Sequence, residues 1–404
     1  MRYKKKDLFI DGFRVERLAR KYSTPLYCYS LKTIRENILN FKKTFRNVNQ
    51  LSCFAVKANP NKVLLTEIGK LGLGADVVSI GELMKALKSG INPNKIVFSG
   101  VGKTSEEINF AIQKKILLIN AESKSEILEI EKIAKIKKKK VNIGIRLNPN
   151  IDAETLSQIS TGKKENKFGV SEKIFLELMT YVKNSNYLKL KCLSVHIGSQ
   201  ILNHKPYEKM LKVIQKIIYK TKFNFEYIDL GGGMGIDYEK NNKKLNLKKY
   251  ALYIKKFLKK NRTKIIFEPG RSIIANSGYL ISKVIYIKEG NKKNFIIIDA
   301  AMNDLIRPAL YNAKHKIIPV KKNSTKSDKY YEFVGPICES TDKFSTLKKF
   351  QKLNEKEFIT ICDVGAYGMS LSSNYNLRPK PAELLIKNSK VKIISKRQSL
   401  KDLI

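Results

Sequence analysis

The sequence predicts a parallel (β/α)8 TIM barrel followed by a C-terminal all-β domain. Strand-like and helical runs alternate through the first two thirds of the chain. They give eight strand candidates within about 240 residues, the size and repeat of such a barrel. Lys57, Asp76 with Ser79, Asn148, His196, the Gly231 loop and Glu268 all fall at or near the C-terminal end of different strand candidates. A barrel gathers those ends around one mouth, whereas a doubly wound open sheet, the competing architecture, spreads them along an edge. After Arg271 the pattern turns to runs rich in Ile, Val, Phe and Tyr with few long helical stretches, which reads as a separate β-domain of about 130 residues.

In chain order, residues 1–30 hold a turn at Asp11-Gly12, a short helix over Val15–Lys21 and an extended segment, Pro25–Tyr29. This segment precedes the first barrel helix and is expected to join the β-domain. Residues 31–273 are the expected barrel and 274–404 the expected β-domain. Leu31, Ile34, Ile38, Phe41 and Phe45 recur on one face of a helix. Strands are expected at Leu51–Val56, Ala75–Ser79, Ile96–Ser99, Ile116–Ile119, Val141–Leu147, Leu190–His196, Tyr227–Leu230 and Lys264–Phe267. The first and last are continuous apolar runs, as parallel strands covered by helices require. Helices are expected between them, at Val63–Lys70, Glu82–Lys88, Ser105–Lys114, Ser123–Lys138, Glu172–Lys183, Tyr207–Tyr219 and Leu247–Lys260. Tyr279–Lys288, Phe295–Asp299, Tyr330–Val334, Phe358–Cys362 and Val391–Ile394 are the β-like runs of the second domain.

Lysine and arginine number 79 against 36 acidic residues, a formal charge of +43 over 404 residues. That balance suggests a polyanion partner. The lysines are nevertheless spread along the chain, at positions a helix turns to water. The strongest run, Lys137 to Lys140, sits at an expected helix end, where cations suit the dipole. No nucleic-acid-binding module is present, so no specific nucleic acid is expected, only weak salt-sensitive binding. The five cysteines show neither CxxC nor metal-ligand spacing, so no metal is expected. Four lie in apolar runs and read as core thiols; Cys338 does not. No run approaches a membrane span and no leader pattern opens the chain. The composition reads as a reduced, cytoplasmic enzyme with no membrane partner.

Lys57 ends the apolar run Leu51–Val56 and is followed by Ala58-Asn59-Pro60. A lysine at such an exit is partly desolvated, which frees its amine as a nucleophile; otherwise it is one surface charge among many. Gly231-Gly232-Gly233-Met234-Gly235 follows the seventh strand, where barrels commonly bind phosphate; a ligand-free tight turn is the plainer alternative. It is neither a Walker A loop nor GxGxxG, so ATP and NAD are not indicated. Glu268-Pro269-Gly270-Arg271 ends the eighth strand as a carboxylate beside an arginine. His196, one of three histidines, ends the sixth, followed by Ile197-Gly198-Ser199. Further on, Arg307 suits a carboxylate. Cys338 and Glu339 put a thiol and a carboxylate side by side in a turn, and Tyr367 lies among small residues.

These segments, AVKANP at Lys57, ADVVS at Asp76, HIGSQ at His196, LGGGMG, EPGR, NDLIRPALY, GPICES and DVGAYGMSLSSNYNLRP, stand in one order over nearly the whole chain. Together they resemble the alanine-racemase-like (fold type III) pyridoxal-phosphate decarboxylases, and within them the diaminopimelate decarboxylase family. The resemblance implies pyridoxal 5'-phosphate as cofactor, with Lys57 as its Schiff-base amine. Under it His196 packs on the ring, and Glu268 bonds the ring nitrogen and makes the ring an electron sink. Asp76, Ser199, Gly231, Gly232, Gly233, Pro269, Gly270 and Arg271 complete the cofactor site. Arg271, Arg307 and Tyr311 meet the substrate's carboxylates, Glu339 its distal amine, and Tyr367 both cofactor and substrate. Cys338 reprotonates the α-carbon after CO2 leaves. The resemblance further implies a homodimer, with Cys338 and Glu339 supplied across the interface, and the conversion of meso-2,6-diaminopimelate to L-lysine, the last step of lysine biosynthesis. An ornithine or arginine decarboxylase of the same class would share Lys57, His196, the glycine loop and Glu268. Glu339 after Cys338, Arg307 in its IRPALY setting and the HIGSQ ending favour a substrate with a second carboxylate. An alanine racemase would want a weaker electron sink than Glu268 provides.

Overall fold

Eight parallel strands close into a barrel in chain order, each paired with the next and the last back to the first. The computed structural model describes residues 1–153, 155, 159, 161–239 and 241–404. The strands are Gln50–Ala55, Gly74–Val77, Ile96–Phe98, Leu118–Ala121, Val141–Arg146, Leu188–Ser194, Tyr227–Asp229 and Lys264–Phe267. All eight expected strands are present, with shifted ends. The second stops at Val77 because Ser79 is drawn off as a helix cap, its side chain accepting from Glu82 N at 3.2 Å. Thr104, Ser123 and Ser171 cap the helices after the third, fourth and fifth strands in the same way. The fourth begins at Leu118 rather than Ile116, because the turn out of the preceding helix takes Lys115 through φ 53°.

The eighth covering helix comes from before the first strand. Only the four-residue helix Arg271–Ile274 follows the last strand directly. Helix Leu31–Thr44 instead lays its apolar face there: Phe41 and Phe45 pack on Phe267 at ring separations of 5.6 and 4.6 Å.

The chain forms two compact units. One comprises Ile38–Ile236 and Asn242–Ile273, the other Met1–Asn37, Asp237–Asn241 and Ile274–Ile404. In the second unit the strand Leu26–Ser30 lies between Gly278–Glu289, antiparallel, and Ala382–Lys387, parallel. The expected joining of the N-terminal segment to the β-domain is thus direct strand pairing. Leu26, Cys28, Tyr279, Ile281, Leu384 and Ile386 build one buried core across these three strands. Several strands of this unit escape a pattern reading: Ile317–Pro319, Lys343–Lys348, Ala382–Lys387, and the three short N-terminal strands around the Asp11-Gly12 turn. Cys28, Cys53, Cys192 and Cys362 are buried and Cys338 is exposed, all as free thiols.

Candidate active site

The barrel interior changes from apolar to polar along its strands. Leu51, Cys53, Val97, Leu118, Cys192 and Ile266 form one buried cluster. Two residues further on, continuing the same face, stand Asn120 and Ser194 on their strands and Ser99 and Glu268 one residue past the ends of theirs, also buried. Period-two alternation therefore lifts a polar layer toward the strand ends. Gly144 on the fifth strand makes room for it, since a Cβ there would sit 2.1 Å from Asn120 Oδ1.

Asp229, fully buried on the seventh strand, is the hub of that layer. It accepts from Asn120 Nδ2 at 2.8 Å, Gly231 N at 2.9 Å and Ser194 Oγ at 3.3 Å. Ser99 Oγ donates to Glu268 Oε1 at 3.4 Å, and Asp229 and Glu268 hydrogen-bond to each other. Burial, and then the charges of Asp229 and Asp76, push the Glu268 carboxyl well above its ordinary range. Burial pushes Asp229 up to about 6. The pair holds protons that ordinary carboxylates release.

Lys57 stands just past the first strand in the one-turn 3-10 segment Val56–Ala58. Its Nζ lies 2.8 Å from Oδ2 of the fully buried Asp76. The other Asp76 oxygen is buried without a partner among the described residues. His196, half-buried, accepts at Nδ1 from Gly232 N at 3.2 Å, which leaves the ring proton on Nε2. Burial, helped by the charges of Arg146 and Lys57, keeps the imidazole neutral by lowering its pKa well below the usual value.

The three glycines are required by packing. A Cβ on Gly231, at φ 62°, would meet His196 Nδ1 at 2.3 Å; one on Gly232 would meet the Glu268 carbonyl at 2.1 Å; one on Gly233 would meet the Gly198 carbonyl at 2.3 Å. The loop therefore lies directly against the ends of the sixth and eighth strands. Arg271, buried, donates from Nη2 to Ser199 Oγ at 2.9 Å, tying the loops after those same two strands. Gly270 and Pro269 lead into it, and the Pro269 carbonyl accepts from Ala55 N at 3.2 Å on the first strand. Asn148 is structural: its amide holds the carbonyls of Lys163 and Phe168 at 2.8 and 3.1 Å.

In the β-domain, Arg307 is buried and opens the short helix Arg307–Tyr311. Its Nη1 lies 2.7 Å from His315 Nε2, and its guanidinium lies 4.8 Å from the Tyr238 ring centre. Tyr311 is half-buried. Cys338 and Glu339 are exposed, and Tyr375 Oη donates to Glu339 Oε1. Tyr367 is half-buried and held at φ 58°. Asp342 joins the segments that carry Arg307 and Cys338: its two oxygens accept from Met302 N at 2.7 Å and Ile337 N at 2.8 Å. Ser373 N donates to the Asn303 carbonyl at 3.0 Å and adds the following loop.

Within the barrel, then, Lys57 meets Asp76, His196 meets the glycine loop, Glu268 meets Asp229 and Ser199 meets Arg271. Within the β-domain Arg307, Cys338 and Glu339 lie on segments joined through Asp342. Sequence reasoning missed Asp229, Asn120, Arg146, Glu122, Asp342 and His315. Arg146 and Glu122 form a buried ion pair at 2.8 Å, and Glu122 also accepts from Gly100 N and Gly169 N at 3.0 Å. The available signal was a polar or charged residue inside an otherwise apolar strand run, as in Ile228-Asp229-Leu230 and Ile145-Arg146-Leu147.

The donor set fits a pyridoxal-type cofactor. At C-terminal strand ends of one barrel stand an amine beside a buried carboxylate, a neutral imidazole against a glycine loop, a proton-holding carboxyl pair and a buried arginine. Known proteins agree. Residues 31–275 match the model of the pyridoxal-dependent decarboxylase family, pyridoxal binding domain. A diaminopimelate decarboxylase of Helicobacter pylori is 44% identical over 395 residues, covering 97% of each chain. One from Aquifex aeolicus is 41% identical over 403 residues, covering 99% of this chain and 95% of the relative. The crystal structure of the Helicobacter pylori enzyme complexed with L-lysine superposes with a TM-score of 0.90 at 43% identity, covering 96% of this chain and 98% of that one.

Proposed function

Since this chain belongs to the diaminopimelate decarboxylase family of pyridoxal-dependent decarboxylases, we propose that it removes the carboxylate at the D-centre of meso-2,6-diaminopimelate, giving L-lysine and CO2. The Lys57–Asp76 pair and the Glu268–Asp229 pair, both at C-terminal strand ends of the barrel, support the pyridoxal-phosphate chemistry, and the observation that carries the substrate is the 41–44% identity to diaminopimelate decarboxylases over nearly the whole chain. When bound, pyridoxal phosphate supplies an electron sink for the electron pair left as CO2 departs.

The chain's own residues do the rest. Lys57 holds the cofactor, and Asp76 keeps its amine oriented. His196, held neutral, offers an imidazole face without adding a charge. Glu268 would hold the ring nitrogen of the bound cofactor, and Asp229, which raises the Glu268 carboxyl, would support it. The Gly231 and Gly232 amides already serve Asp229 and His196. Gly233, Ser199, Gly270 and Arg271 are the remaining phosphate-site residues of the reading. Arg271, Arg307 and Tyr311 bind the substrate's carboxylates, Glu339 its distal amine, and Tyr367 borders cofactor and substrate. By anchoring the far end of the substrate, these residues would orient its reacting α-carbon, so that remote binding energy selects the reaction. Cys338 gives the α-carbon its proton.

The exposure of Cys338 and Glu339 in the single chain supports a homodimer in which these two residues complete the partner's site. A monomer mass by light scattering at active concentrations would contradict that. The five free thiols support work in the reducing cytoplasm.

The test is CO2 release from meso-diaminopimelate, ornithine and arginine side by side, with the holoenzyme. Release from meso-diaminopimelate, with L-lysine as co-product, is expected. Release from ornithine or arginine alone would overturn the reading.

A further inference from the structure

Arg307 owes its direction to a neighbour with no place in the reaction described above. It starts a helix of five residues, too short to fix a long flexible side chain by itself. The side chain is instead clamped from two directions. His315 Nε2 lies 2.7 Å from Arg307 Nη1, and the Tyr238 ring lies beneath the guanidinium at 4.8 Å. His315 is itself fixed. Its Nδ1 stands 2.9 Å from the Cys362 carbonyl, and its ring meets Tyr238 edge-on at 5.1 Å.

The hydrogen-bond roles follow from these partners. A carbonyl oxygen only accepts, so Nδ1 of His315 carries the ring proton and donates it. Nε2 is then the lone pair, and it accepts from Arg307, whose guanidinium only donates. The imidazole is therefore neutral, so this contact fixes the fork without cancelling its charge. A carboxylate in that place would fix the fork as well, but would compete with an incoming carboxylate for the same charge.

We propose that His315 is a positioning residue for substrate selection: hydrogen-bonded between the Cys362 carbonyl and Arg307, it aims the guanidinium at the substrate's second carboxylate. This rests on the assignment of Arg307 to a substrate carboxylate under the proposed function. It predicts a loss confined to ligands that carry the second carboxylate. Loss of a hydrogen bond to a charged group implies roughly a 10-fold weakening.

The experiment titrates the pyridoxal-phosphate-loaded enzyme, following the cofactor's absorbance, with two ligands. One is meso-diaminopimelate. The other is D-lysine, which keeps the reactive D-amino-acid head and the distal amine but lacks the second carboxylate. The variants are His315→Gln, His315→Asn, Arg307→Met and the double variant His315→Gln/Arg307→Met. The expected result is about 10-fold weaker binding of meso-diaminopimelate by the His315 variants, with D-lysine binding unchanged. Unchanged D-lysine binding also shows that the variants are folded. In the Arg307→Met background the His315 substitution should add nothing further. If Arg307→Met selectively loses meso-diaminopimelate while both His315 variants bind it as the native enzyme does, the positioning role is wrong and the function stands. If Arg307→Met itself binds meso-diaminopimelate normally, the assignment of Arg307 is wrong and the inference falls with it. Equal loss of both ligands in the His315 variants would mark a merely structural residue and overturn the proposal.

Discussion

Asp229 shows how a single buried residue sets the chemistry of its neighbour. It takes three donors and still shares a hydrogen bond with Glu268. Burial pushes its carboxyl up to about 6 from 3.8. The folded apoprotein therefore binds more protons than the unfolded chain between about pH 4 and pH 6. This contribution to stability is fully present below the lower value and lost as pH rises through the upper one. Asp229→Asn removes the titrating group, so the fall in unfolding free energy from pH 4 to pH 7 should become shallower by on the order of 2 kcal/mol. Urea unfolding of the apoprotein across that range checks it; an unchanged slope would contradict the assignment. Under the proposed function, Glu268→Gln, which cannot ionise, should lower kcat roughly 10²-fold or more with folding intact. Asp229 was legible as an acidic residue in an apolar strand. Its partners were not, because Asn120, Ser194 and Ser99 come from three other strands and meet it only through barrel closure.

At the scale of elements, alternation was the most informative signal. Parallel strands covered by helices read as short apolar runs, and all eight were visible. Their ends were less so. At Ser79 the same residue type that ends a strand also caps the next helix, and tertiary hydrogen bonding decides between the two. Ala382–Lys387 escaped notice because its residues are buried on both faces, so it lacks the period-two pattern of a half-exposed strand. The glycine loop was read as a phosphate site, with a ligand-free tight turn as the plainer alternative. The reason for its glycines is the close approach of neighbouring strand ends, at least as much as any ligand. Gly232→Ala puts a methyl 2.1 Å from the Glu268 carbonyl, backbone against backbone, so something must shift. Equilibrium dialysis should then show pyridoxal phosphate bound at least about 10-fold more weakly, from the displacement of Glu268 and His196. Native affinity in that variant would show that the loop bears no relation to the cofactor.

For the whole molecule, the excess of 43 positive charges is a poor guide to function. It describes the surface, and the residues that carry the proposed chemistry lie on strand ends and loops that the charge count does not distinguish. What the proposed function rests on at this scale is the combination of an amine at the first strand, a carboxyl pair at the seventh and eighth, and a thiol in the β-domain. No one of these is specific alone. The most direct measurement is reductive trapping: the holoenzyme is treated with borohydride, digested, and its peptides are weighed. The pyridoxyl label should appear on the peptide containing Lys57, and the visible absorbance band should be missing from Lys57→Ala. A label on a different lysine, or a Lys57→Ala protein that keeps the band, would contradict the account.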